Sequence, residues 1–100
     1  MNWFEAFLLT CVVELPIVAL CANKAKRRRA ATDSLGANLV THPTAWYLAN
    51  SIMVSWYAVE LGVLIAEILI YRTVTRLTWR RAIAAATLAN GITAALSFVV

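Results

Sequence analysis

Five polar side chains set within long apolar runs have the types and spacing to handle protons or cations: Glu14, Asn38, His42, Glu60 and Asn90. A charged side chain at the centre of a bilayer costs about 2.5–3.5 kcal/mol on insertion scales, so such groups turn inward, pair, or serve a function. Counting helical rise from the outer ends brings Glu14, Asn38, Glu60 and Asn90 to nearly one depth, with His42 about one turn further out. Two carboxyls, two carboxamides and one imidazole at that depth can pass a proton or hold a cation, and Glu60 with His42 can exchange a proton near neutral pH. The same groups can instead form a hydrogen-bonded network that sets helix register with its carboxyls protonated, although two carboxyls exceed what register needs.

Other chemistries find no support. The chain has one His and no Glu-x-x-His pair, so neither a metal site nor haem ligation is expected. A Gly-x-Ser-x-Gly elbow, a His-Glu-x-x-His helix and a Gly-rich phosphate loop are all missing, which argues against an enzyme and against a cofactor. Cys11 and Cys21 have no CxxC spacing and read as small buried apolar residues.

The element that must carry Glu60 is the apolar stretch from Ser51 to Tyr71, whose roughly twenty residues rise about 30 Å as a helix, the thickness of a hydrocarbon core. Met53, Trp56, Glu60, Val63 and Glu67 recur at three- and four-residue steps and share a face. Glu67, nearer the end of this helix, reads as a boundary residue paired with Arg or Lys heads. The opposite face carries Ala58, Gly62 and Ala66, a small-xxx-small series expected to let a second helix approach closely, within the bundle or across a subunit interface.

The whole chain of 100 residues is 62% apolar, with a mean hydropathy of +0.74, and four spans use it almost completely. The expected fold is an all-α integral membrane protein: a single antiparallel four-transmembrane-helix bundle with spans at about 3–22, 32–49, 51–71 and 82–100. All nine basic residues fall in or beside the two loops at 23–31 and 72–81: Lys24, Lys26, Arg27, Arg28, Arg29, Arg72, Arg76, Arg80 and Arg81. Such clusters beside apolar spans hold their loops in the cytoplasm and touch anionic lipid headgroups, which leaves both termini non-cytoplasmic. This segregation argues against nucleic-acid binding and suits the inner, cytoplasmic membrane of a bacterium or archaeon.

The first span, with Trp3 at its outer edge, has no basic residue ahead of it and a bulky Leu20 before Cys21, so it reads as a helix and not as a cleaved signal. Pro16 frees the carbonyl of Val12 close to Glu14, giving a kink that is structural or a hinge. The second span is too polar to face lipid freely; Asp33 and Ser34 suit a helix N-terminus, Pro43 interrupts the ladder beside His42, and Trp46 and Tyr47 suit an outer interface. In the fourth span Thr87, Asn90, Gly91, Ala94 and Ser97 form a small and polar packing stripe.

Four spans in about this length with a membrane-embedded Glu14 in the first resemble the small multidrug resistance transporters in architecture. That resemblance implies a dimer in which Glu14 exchanges protons for cationic substrates. The third span departs from the family's aromatic and glycine pattern, having Trp56, Tyr57, Glu60 and Glu67. Two functions are therefore expected to compete: proton-coupled transport or cation binding by a homo-oligomer, and a non-catalytic accessory subunit that stabilises a larger membrane complex.

Overall fold

Runs of Ala, Leu, Ile and Val favour helix where no glycine–proline cluster interrupts them, and helices are what this chain forms. The computed structural model describes residues 3–52 and 55–97, with no strand among them. The helices are α1 (Trp3–Cys21), α2 (Arg27–Asn50), α3 (Trp56–Thr73) and α4 (Trp79–Ser97), with a 3-10 turn at Lys24–Lys26 leading into α2. Met53, residues 98–100 and the side chains of Trp3, Trp56 and Ser97 lie outside the described part, so the places expected for them are not addressed.

Three helix starts differ from expectation, each for a local reason. α2 begins at Arg27 and takes in Arg27, Arg28 and Arg29, because Lys, Arg and Ala are good helix formers and Arg29 pairs with Asp33 one turn on at 3.7 Å. Asp33 and Ser34 consequently sit inside the helix and cap nothing at its start. α4 begins at Trp79 because Thr78 accepts the amide of Arg81 at 3.3 Å, the contact of an N-cap residue. α2 continues to Asn50, and α3 starts only at Trp56. Both prolines are accommodated within continuous helices, Pro16 in α1 and Pro43 in α2.

The helices close into a ring in which α1 and α3 each pack against both α2 and α4. Neighbours joined by such short connections run antiparallel. Lys26 Nζ donates to the Arg76 carbonyl at 2.7 Å, Arg29 Nη2 to the Val74 carbonyl at 2.8 Å, and Arg81 Nη1 to the Cys21 carbonyl at 3.0 Å. These bonds gather both basic segments at one end, here the basic end. The turn after α3 places Arg76 at a φ of 62°, a left-handed conformation that costs a non-glycine residue about 1–2 kcal/mol and is held by the Lys26 bond and by the Leu77 amide on the Tyr71 carbonyl at 2.9 Å.

The buried core lies toward the same end: Val18, Ala22, Ala30, Tyr71, Leu77, Ala82, Ala85, Ala86 and Ala89 form one cluster. Alanines 82, 85, 86 and 89 are therefore the packing face of α4. The expected Thr87–Gly91 side of the stripe is exposed, and a Cβ added at Gly91 would meet nothing within 4 Å. α2 likewise turns Ser34, Asn38 and Thr41 inward and Leu35, Leu39 and Val40 outward, so its apolar face looks out although the span as a whole is polar. The two cysteines are only partly buried. Large apolar side chains cover the outside, including Val12, Leu61, Ile65, Ile83 and Leu88, while Glu14, Glu67, Asn38 and Thr75 are buried. Among the described residues only α1, over Phe4–Cys21 with a mean hydropathy of 2.1, is long and apolar enough by itself to cross a membrane. α3 is interrupted by Glu60, Glu67 and Arg72, and α4 opens on Arg80 and Arg81.

Candidate functional site

Away from the basic end the helices part around a cavity of about 520 Å³. Each helix supplies polar groups from one inward face: Thr10 and Glu14 from α1; Asn38, Thr41 and His42 from α2; Glu60 and Glu67 from α3; Asn90 and Thr93 from α4. The structure thus brings all five residues singled out from the sequence to one cavity. Its lining extends to Trp46 and Asn50, which are exposed near the end of α2.

The cavity floor is formed by two buried carboxyls. Glu14 is 1% exposed; its Oε2 accepts from Thr93 Oγ1 at 3.2 Å, and among the described residues no donor reaches Oε1. Glu67 is equally buried, and its Oε2 accepts from Asn90 Nδ2 at 2.6 Å, the same amide group also donating to the Ala86 carbonyl at 2.8 Å. Asn38 is buried with its amide 4.0 Å from Cys11 Sγ. The His42 ring lies 5.6 Å from that of Phe7 and 6.3 Å from that of Trp46. Glu60 is half-buried on the same wall.

Glu14, Glu60 and Glu67 are close enough for their charges to interact, and among the described residues no Lys or Arg lines the cavity. Three carboxylates so placed repel one another, and burial of Glu14 and Glu67 disfavours their charged forms, so a proton or a cation beside them would relieve the repulsion. Among the described residues, His, Cys, Asp and Glu nowhere gather in threes at metal-binding distances.

Two expectations are corrected. Glu67 does not pair with the basic segments: it faces inward to Asn90, and because α3 starts at Trp56 it lies closer to the middle of that helix than Glu60 does. Its place on the Glu60 stripe, two turns further along, was the available sequence signal. Thr10, Thr41 and Thr93 were not foreseen; Thr93 follows Asn90 by three residues on one face, which is the signal that could have found it. Of the two settings expected for Ala58, Gly62 and Ala66, close packing within the bundle is not found at Ala58 and Gly62, while Ala66 is half-buried. Ala58 and Gly62 are exposed, a Cβ at Gly62 would meet nothing within 4 Å, and the three line a shallow groove between α2 and α3 together with Val40 and Leu48.

At the basic end Lys24, Arg27, Arg28, Arg76, Arg80 and Arg81 are exposed, and the Arg72 guanidinium lies 5.3 Å from the centre of the Trp79 ring. The chain matches no protein-family model, and no curated protein and no solved structure is significantly similar to it.

Proposed function

We propose that this bundle is embedded in a membrane, with the basic end cytoplasmic and both termini on the opposite side, and that its cavity binds protons and a small cation as part of transport by a homo-oligomer. The membrane reading is supported by the distribution of residues: large apolar side chains exposed along the helices, Glu14, Glu67 and Asn38 buried inside, and basic side chains collected at one end. Four helices of 18 to 24 residues are each about 27–36 Å long, enough to cross a hydrocarbon core. On this reading the polar interruptions of α2, α3 and α4 face the cavity and not the lipid, and the bacterial or archaeal cytoplasmic membrane is the setting.

One observation carries the functional reading: the buried carboxyl of Glu14 presents an oxygen with no donor among the described residues, in a cavity lined by two further carboxyls and His42 and by no described Lys or Arg. A register network would satisfy its own acceptors. The test is thermal unfolding of the purified protein in detergent at constant ionic strength, with monovalent inorganic and small organic cations exchanged in turn. A bound cation at a hundred times its Kd stabilises by about 2.7 kcal/mol. We expect stabilisation of the wild type and none of Glu14→Gln.

The second reading, an accessory subunit of a larger membrane complex, is favoured by the open groove at Ala58, Gly62 and Ala66, where a foreign helix could lie close to the α3 backbone. Gentle extraction followed by native mass spectrometry decides between them. A self-oligomer supports the first reading, and stoichiometric recovery with a larger enzyme supports the second.

A further inference from the structure

The cavity is elongated along the helices: its lining runs from Ala6 to Glu14 on α1 and from Val59 to Glu67 on α3, about 12 Å of helical rise on each. Its carboxyls stand at two levels. Glu14 and Glu67 form the floor, where Thr93 and Asn90 each satisfy one carboxyl oxygen and Glu14 Oε1, on a residue only 1% exposed, has no donor among the described residues. Glu60 lies two turns nearer the mouth, on the same face of α3 as Glu67 and about 10.5 Å from it along the helix axis. Between the two levels the walls are apolar, with Val63 on α3, Leu9 on α1, Ala45 on α2 and Ala94 on α4.

Resting on the reading of the cavity as a cation-binding site, we propose that its ligand is a linear aliphatic diamine carrying two positive charges, one ammonium at the floor against Glu14 and Glu67, the other at Glu60, and the methylene chain along the apolar walls between them. Alkyl amines, like the lysine side chain, are protonated at neutral pH. A bare monovalent ion needs little more than the space of one water, about 30 Å³, and gives most of a 520 Å³ cavity and its apolar walls nothing to do. A single ammonium at the floor leaves Glu60, two turns away, without a counter-charge. A dication meets both levels, and once one end is bound the second contact forms within the same complex. A primary ammonium also brings three N–H donors, of which Glu14 Oε1 can accept one; a quaternary ammonium brings none. The dication balances two of the three carboxyls and the third keeps a proton, with the His42 imidazole neutral, so one cavity holds both a proton and a cation.

The experiment is isothermal titration of the full chain, purified in detergent at constant ionic strength, with the terminal diamines of propane, pentane, hexane and octane, and with hexylamine, tetramethylammonium and sodium alongside. Pentanediamine and hexanediamine are expected to bind wild type about tenfold more tightly than hexylamine, and propanediamine, too short to reach both levels, to lose that advantage. Glu60→Gln, shown to be folded by its melting, should bring hexanediamine down to the affinity of hexylamine. Glu14→Gln should weaken both. Equal affinity of wild type for hexylamine and hexanediamine, tighter binding of sodium or tetramethylammonium than of any diamine, or a diamine advantage that survives in folded Glu60→Gln overturns the dication while leaving cation binding at Glu14 standing. Absence of binding heat and of any melting shift with every one of these cations overturns the cavity reading as well.

Discussion

The half of the bundle at the basic end and the half toward the chain termini are made by the same four helices and packed in opposite ways. At the basic end alanines 82, 85, 86 and 89 bring α4 against Val18, Tyr71 and Leu77, and three basic side chains fasten the connecting segments through main-chain carbonyls. In the other half the same inward faces carry Glu14, Asn38, His42, Glu60 and Thr93, and the helices surround a space of about 520 Å³. Small apolar residues permit close approach and dispersion contact; carboxyls and amides must keep room for their charge partners. The difference shows that close packing and a polar cavity are divided along the helix axes, and not between helices.

Enlarging side chains in each half gives the largest contrast. Ala86→Leu, at a position with no exposed surface, should destabilise the protein by about 1–3 kcal/mol in detergent unfolding, whereas Ala94→Leu beside the cavity should cost little stability and abolish cation binding. Equal costs at the two positions would erase the distinction. Next in size, Asn90→Leu removes the donor to Glu67 at the boundary of the halves and should cost about 1–3 kcal/mol, measured in the same way, unless Glu67→Gln accompanies it and lessens the loss.

Thr75→Val should cost about 1–2 kcal/mol, because it deletes the bond to Asp33 while keeping the shape of the side chain. Cation binding at the far cavity should be unaffected by it, as cation-dependent melting would show. The smallest effect belongs to the open groove: Gly62→Ala meets no atom within 4 Å and should stabilise the monomer by about 0.5–1 kcal/mol through helix propensity. Loss of oligomer or complex by Gly62→Leu in native mass spectrometry, with the monomer still folded, would identify that groove as an interface.

Much of this division was legible residue by residue. The spacing of Glu60 and Glu67 placed both on one face of α3, and the position of Asn38 four residues before His42 did the same on α2, because the helical period is local. Helix ends were less legible. Nothing in the composition between Lys26 and Asp33 separates loop from helix, and the Thr78 cap depends on one hydroxyl finding one amide. The start of α3 at Trp56 and its rotation toward Asn90 moved Glu67 from a presumed boundary to the interior.

The sequence by itself determined that the chain is helical, that Glu14, Asn38, Glu60 and Asn90 have the spacing to share inward faces, and that its positive charge is concentrated in two segments; period, propensity and charge order are properties of short stretches. Only the tertiary structure decided that Glu67 meets Asn90, that Tyr71 meets Ser34, that Glu14 keeps one oxygen without a donor among the described residues, and that the Gly62 face stays open. Each depends on the register and rotation of one helix against another. Those are set by the summed packing of many small contacts across the bundle, and no local pattern encodes that sum.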